Sequence, residues 1–303
     1  NPLSVFIKTK PMKQIILFIL FFPLLKGFSQ SGQDSTAENS DSAAAAASTL
    51  TIGAVYANNA DYYGQKAEES MPYIAAAASW KSRSGIYFTA LAYRLLKDSS
   101  GNVASASNLG LGYSLKLSKH LTADLGYNHT FYPAYSPFLQ ASNPDNARLS
   151  LEYDRVMDSK ISADYAFGKT QDLFVTAGTG KQISLGSIGS KDLVTFTPAV
   201  EVVAGTQHFY QTYITEKRLR DSLLGLLPIP ILGGGGSSQN QSSTTTETTR
   251  FNLISYNLKC PLAYNRSHYM IEVQYQLSVL SQQAQSGAGK ANSFVSCSFY
   301  YQF

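Results

Sequence analysis

From residue 50 to the end of the chain, side chains alternate between apolar and polar with a period of two, and this pattern confines the fold to β-sheet. In 268–280, Tyr269, Ile271, Val273, Tyr275, Leu277 and Val279 share one face, while Glu272, Gln274, Gln276 and Ser278 share the other. The runs 109–117, 121–131 and 147–155 repeat the pattern. Turn signals divide the chain into about twelve strands, near 50–58, 72–80, 85–94, 107–117, 121–131, 146–156, 160–168, 172–185, 192–209, 250–262, 268–280 and 292–303. Short connections (81–84, 118–120, 157–159, 263–267 and the slightly longer 186–191) lie on one rim, and most of those on the other are long and polar (59–71, 95–106, 132–145, 210–249, 281–291). An all-β fold follows: a transmembrane antiparallel up-and-down β-barrel of about 12 strands, both termini on the short-turn rim.

A soluble sandwich or lipocalin-like barrel also alternates, so polarity has to decide. Charged residues make up 15% of the chain, against roughly 25% in an average soluble domain. The less apolar face is Gly, Ser, Thr, Asn and Gln with few Lys, too little charge for a water-facing coat. Aromatic residues gather at strand ends, among them Tyr56, Trp80, Phe131, Tyr153, Tyr269 and Phe303, as interfacial girdles require. The apolar face is therefore expected to meet lipid.

The formal charge of +4 comes from 24 Lys+Arg against 20 Asp+Glu. Residues 1–29 hold Lys8, Lys10, Lys13 and Lys26 and no acid or Arg, so without these four lysines the charges balance at 20 and 20. No basic patch is left for a nucleic-acid partner. The apolar run 15–25 has eleven residues, short of the ~20 a spanning helix needs. Between basic flanks and before Gly27 and Ser29 it reads as a secretory signal peptide over 1–29, with translation expected to start at Met12. Residues 30–49 read as a flexible linker and 50–303 as the barrel, with a long external loop at 210–249.

In the last strand, Phe299, Tyr301 and the terminal Phe303 share one face. This resembles the C-terminal signal by which the barrel assembly machinery recognises Gram-negative outer-membrane proteins. The leader ending Phe28-Ser29-Gln30 is similar to those of Bacteroidota outer-membrane proteins of uncertain function. The resemblance implies an outer-membrane location, with outer-membrane lipid and the assembly machinery as partners.

Few residues suggest chemistry. Cys260 and Cys297 sit on the outward parity of strands separated by a third, roughly 10 Å apart laterally and beyond disulfide reach. His120, His129, His208 and His268 have no metal-ligand spacing, so neither metal nor cofactor is expected. His129 alone lies within a strand on the apolar parity, which keeps a lipid-face hydrolase as a minor alternative to a non-catalytic barrel. The polar parity carries Lys116, Asp124, Arg148, Glu152, Asp154, Asp164, Glu201, Lys259 and Glu272, six acids and three bases expected to line the lumen. Such groups must be paired or hydrated. They either tune a pore for small solutes, tilted toward cations, or fill a closed lumen in a structural or surface-interaction barrel. Within 210–249 the prolines Pro228 and Pro230 interrupt an apolar patch, Leu226, Leu227, Ile229, Ile231 and Leu232, that must be covered by the mouth, by lipid or by a partner.

Overall fold

The computed structural model describes residues 48–97, 104–133, 136–210, 212–213, 250–284 and 290–303. The expected signal peptide and nearly all of the expected linker lie outside the described residues, as do the apolar patch Leu226, Leu227, Ile229, Ile231 and Leu232 and most of the 210–249 loop. The first eight strands are β1 (Thr49–Ala57), β2 (Tyr73–Lys81), β3 (Ile86–Leu95), β4 (Ala106–Lys116), β5 (Leu121–Phe131), β6 (Asp145–Tyr153), β7 (Asp158–Phe167) and β8 (Gln171–Gly180). Then follow β9 (Ile183–Gly186), β10 (Asp192–Phe196), β11 (Ala199–Gly205), β12 (Asn252–Arg266), β13 (Tyr269–Leu280) and β14 (Ala291–Gln302).

The strands close into a ring of twelve: β1 to β8 in order, then β11, β12, β13 and β14, which pairs back to β1. Every pairing is antiparallel, so the spanning backbone satisfies itself without an edge. β9 and β10 are the lower continuations of β8 and β11. The sequence predicts one unbroken strand on each side of that hairpin, whereas the structure breaks both, next to Lys181 and at Thr197-Pro198. Pro198 has no N–H to give to the ladder, which is the local reason for the interruption. Below the break β9 pairs with β10 alone, and its far edge has no neighbouring strand among the described residues.

Side-chain direction follows the period. Leu50, Ile52 and Tyr56, Leu109, Leu111 and Tyr113, Leu125, Tyr127 and Phe131, and Ile271, Val273 and Tyr275 all point out of the ring and are exposed. A wall this apolar is stable only against hydrocarbon. Both cysteines are free and on this wall, Cys260 half-buried and Cys297 exposed. Phe299 and Tyr301 also face outward on the last strand, and the Tyr301 ring meets that of Phe303 at 4.7 Å. A register shift between Val203 and Ala204 leaves Ile254 of β12 without a partner residue and turns it into the barrel, where it is fully buried.

Candidate functional site

The short-turn half of the lumen is polar, and glycines make room in its wall. A Cβ at Gly112 would overlap the Tyr87 ring, and Gly126 lies under the same hydroxyl. Tyr87 therefore lies along the wall and donates a hydrogen bond to Asp124 at 2.8 Å. Tyr300 covers Gly53 in the same way. Removing side chains from the floor lets a large ring lie flat and keeps the centre clear.

Charges occupy the space left. In one hydrogen-bonded row Glu152 faces Lys160, which faces Gly178, which faces Glu201. Lys160 binds Glu152 at 2.7 Å and Lys259 binds Glu201 at 2.7 Å. These four side chains keep between 25% and 33% of their surface accessible, so the pairs are not sealed in a dry core. Glu272 also points inward and makes no ion pair among the described residues. Lys116 ends β4 at the short-turn rim and is exposed. Asp154 departs from expectation. It stands past the end of β6, exposed, with the His120 ring at 3.2 Å, because the strand stops before the inward position it was expected to fill. Lys160 was not among the expected lumenal residues, although its parity with Ser162 and Asp164 placed it there.

The long-loop half is closed from within. The sequence treats 59–71 as an external loop, but the structure folds it into the barrel. Asn59 starts the segment by accepting hydrogen bonds through its Oδ1 from the N–H groups of Ala60 and Met71, each at 3.0 Å, which pins both ends together. Tyr62 and Gln65 then exchange backbone bonds across a tight turn containing Tyr63 and Gly64, both at positive φ. Three wall strands grip the tip: Ser255 donates to the Tyr63 carbonyl at 2.8 Å, Asn292 to the Gly64 carbonyl at 2.9 Å, and the Gln276 amide to Asp61 at 2.8 Å.

Aromatic packing completes the plug. The Tyr63 ring stacks on Phe174 with centroids 4.0 Å apart, and Tyr62 meets Phe174 and Phe209 edge-on at 5.5 and 4.9 Å. Phe174 and Phe209 are fully buried, each contributing roughly 1.5–3 kcal/mol by leaving water. Ala60, Ala67 and Met71 from the in-folded segment, Phe138 and Leu139 from the 132–144 loop, and Leu95, Val203 and Ile254 from strand tops join one buried cluster. Beneath it Arg148 donates to the fully buried Asp164, and the Tyr63 side chain lies beside the pair. Arg148 and Asp164, two of the residues expected to line the lumen, are thus joined to each other under the plug.

Asp172, at the top of β8, ties the loops above the plug together. Its carboxylate accepts from Asn143 at 2.7 Å, from Thr206 at 2.8 Å, and from the backbone N–H groups of His208 and Phe209 at 2.7 and 2.9 Å, with the His208 ring at 3.0 Å. Asp172 was not singled out from the sequence, and nothing local reveals that the 132–144 loop and the segment 206–209 converge on it.

Asp61 is a carboxylate that the plug places inside the barrel wall. Its surface is open to the lumenal space, yet barrel wall surrounds it. That enclosure pushes its carboxyl above the ordinary value, opposed by the nearby Lys259 ammonium, the Gln276 amide and the Gly64 N–H, with Glu201 adding to the rise.

On the outer wall the His129 ring binds Asp145 at 2.7 Å, and Asp145 also accepts from the Tyr127 hydroxyl. No serine or threonine hydroxyl among the described residues hydrogen-bonds His129, and Phe131 is the residue that meets it on the same face.

No protein-family model matches the chain, and no curated protein matches it in sequence. Among solved structures it is similar to KdgM porin, with 8% identity, 84% of this chain and 99% of that one covered, and a TM-score of 0.47. NanC porin covers 83% of this chain and 98% of its own at 10% identity and a TM-score of 0.42. An outer-membrane channel from Pseudomonas putida F1 covers 88% and 100% at 9% identity and a TM-score of 0.43.

Proposed function

We propose that the protein is an outer-membrane pore for small solutes, with the in-folded segment 58–72 as its internal gate. What supports this reading is the two partly accessible ion pairs below the plug. Lys160, Glu152, Lys259 and Glu201 keep a quarter to a third of their surfaces open inside a ring whose outer wall is apolar. A barrel with only a structural role gains nothing from hydrating charges along its axis, whereas a pore uses them for selectivity. The leader supports export and the last strand supports insertion by the barrel assembly machinery. The chain is read as a channel rather than an enzyme. A second reading, a closed barrel whose loops bind a partner, is favoured by the apolar cluster that fills the upper half.

Conductance in a planar bilayer tests the two. The pore reading expects discrete channels with a reversal potential favouring cations, because Asp61, Asp124 and Glu272 form no ion pair among the described residues while Lys160 and Lys259 are neutralised by Glu152 and Glu201. Glu272→Gln should reduce the cation preference without changing folding, and Glu152→Gln, which frees Lys160, should reduce it further. Purified, folded barrel that never conducts, even with the plug removed, leaves the closed-barrel reading.

Acidity should close the gate. With the plug docked the Asp61 carboxyl is raised; released into open water it returns to its ordinary value. The docked state therefore binds more protons, and its disadvantage, present above the raised value, is relieved as pH falls through it. Open probability is expected to drop on acidification over that window and to lose this dependence in Asp61→Asn. A wild-type open probability that rises with acid contradicts the assignment.

A further inference from the structure

The short-turn rim is basic. Its five turns join β2 to β3, β4 to β5, β6 to β7, β9 to β10 and β12 to β13, so one stands at every second strand boundary of the ring from β2 to β13. Each has one Lys or Arg in the turn or at its outer flank: Arg83, Lys119, Arg155, Lys191 and Arg266, all exposed. Lys81 and Lys116 add two more at strand ends, on the lumenal parity. The acids of the same turns and flanks are Asp154, Asp158 and Asp192. Asp154 is held by the His120 ring, and Asp192 by the Tyr264 hydroxyl and the N–H groups of Ile188 and Gly189. Arg83, Lys119, Arg155 and Lys191 make no side-chain hydrogen bond or ion pair among the described residues. Composition does not impose this excess, because beyond residue 29 the chain holds 20 charges of each sign.

We propose that these turns form a basic collar that binds the anionic phospholipid headgroups of the leaflet on the short-turn side. Depth supports that occupant. Trp80, Tyr153, Tyr264 and Tyr269 stand at outward positions within the last three strand residues before these turns. Interfacial aromatics take that level, and the cations stand just beyond it, where the phosphates lie. Distribution favours lipid over protein. A partner seated against one flank would need the cations gathered on that flank, whereas lipid surrounds the barrel and meets every turn. Ammonium and guanidinium groups without a carboxylate of their own are free to take phosphate oxygens in charge-assisted hydrogen bonds.

The sequence contains a single tryptophan, Trp80, which faces outward three residues before Arg83 and so reports on the collar. The test refolds the full barrel into phosphatidylcholine vesicles containing increasing shares of brominated phosphatidylglycerol or brominated phosphatidylcholine. Quenching of Trp80 gives the relative affinity of the two headgroups beside it. The wild type should favour phosphatidylglycerol about fivefold, the scale of one basic residue acting on an anionic headgroup, and the preference should fade as salt is raised. Arg83→Gln should make the two lipids quench alike. Lys191→Gln, on a turn far around the ring, should leave the preference intact, with folding of each variant checked by heat-modifiable migration on a gel. Equal quenching in the wild type, or a preference that survives Arg83→Gln, overturns the proposal. An equal loss in Lys191→Gln overturns it as well, because Trp80 would then be reading the overall charge of the barrel rather than a contact. Polyglutamate that binds the folded barrel while the two lipids quench alike would assign the rim to an acidic protein instead.

Discussion

Replacing residues 60–67 with a Gly/Ser linker of equal length is expected to raise single-channel conductance several-fold and lock the barrel open. The segment brings Tyr62 and Tyr63 onto the axis, and its tip is held by three side chains, from Ser255, Gln276 and Asn292. Most of its hold is aromatic. Tyr63→Ala removes the 4.0 Å stack on Phe174, a truncation expected to cost about 3–5 kcal/mol of docking. That single variant should flicker between the wild-type and open levels instead of staying open. The backbone ladder of the barrel does not involve these residues, so both proteins should still migrate as folded barrels before heating. Conductance identical to wild type in the folded linker variant would show that the segment does not obstruct the path.

Arg148→Met should destabilise the barrel by about 3–5 kcal/mol, because it strands the fully buried Asp164 carboxylate without its partner. The midpoint of urea unfolding from phospholipid vesicles measures this. Arg148→Met combined with Asp164→Leu should recover most of the loss, since an apolar pair of similar volume removes the stranded charge. The same change reaches the gate, because the Tyr63 hydroxyl is electrostatically coupled to both members of the pair. Arg148→Met is therefore expected to raise open probability in the barrels that do fold. A loss below about 1 kcal/mol, the scale of an exposed pair, would mean that water reaches Asp164.

The ring itself was legible because its cause is local. Period two in 109–117, 121–131 and 268–280 assigns each side chain to a face, and the observed register keeps every one of those faces. The inward parity of Arg148, Asp164, Glu201 and Lys259 followed from the same rule. The plug was not legible. Residues 59–71 are polar and aromatic in the manner of any long external loop, and nothing in their spacing shows that Asn59 will fold the segment back on itself. Its partners Phe174, Ser255, Gln276 and Asn292 lie far along the chain, and only closure of the ring brings them together. The sequence drew attention to 210–249 as the place to look for a constriction, by length and by its prolines. The described structure places a constriction in the first loop.

The bare edge of β9 sets how deep the barrel can sit. Backbone amides without a partner are not tolerated in hydrocarbon, and below Gly180, where β7 ends against β8, the flank of β9 has none among the described residues. The hydrocarbon boundary on the short-turn side must therefore pass no lower than Gly180 on this flank. Ile183, Leu185 and Ile188, all exposed on this overhang, then lie in the headgroup layer or the aqueous space beyond it. The hairpin thus works as a draught mark, fixing the waterline of a barrel whose smooth apolar wall would otherwise let it slide along the membrane normal.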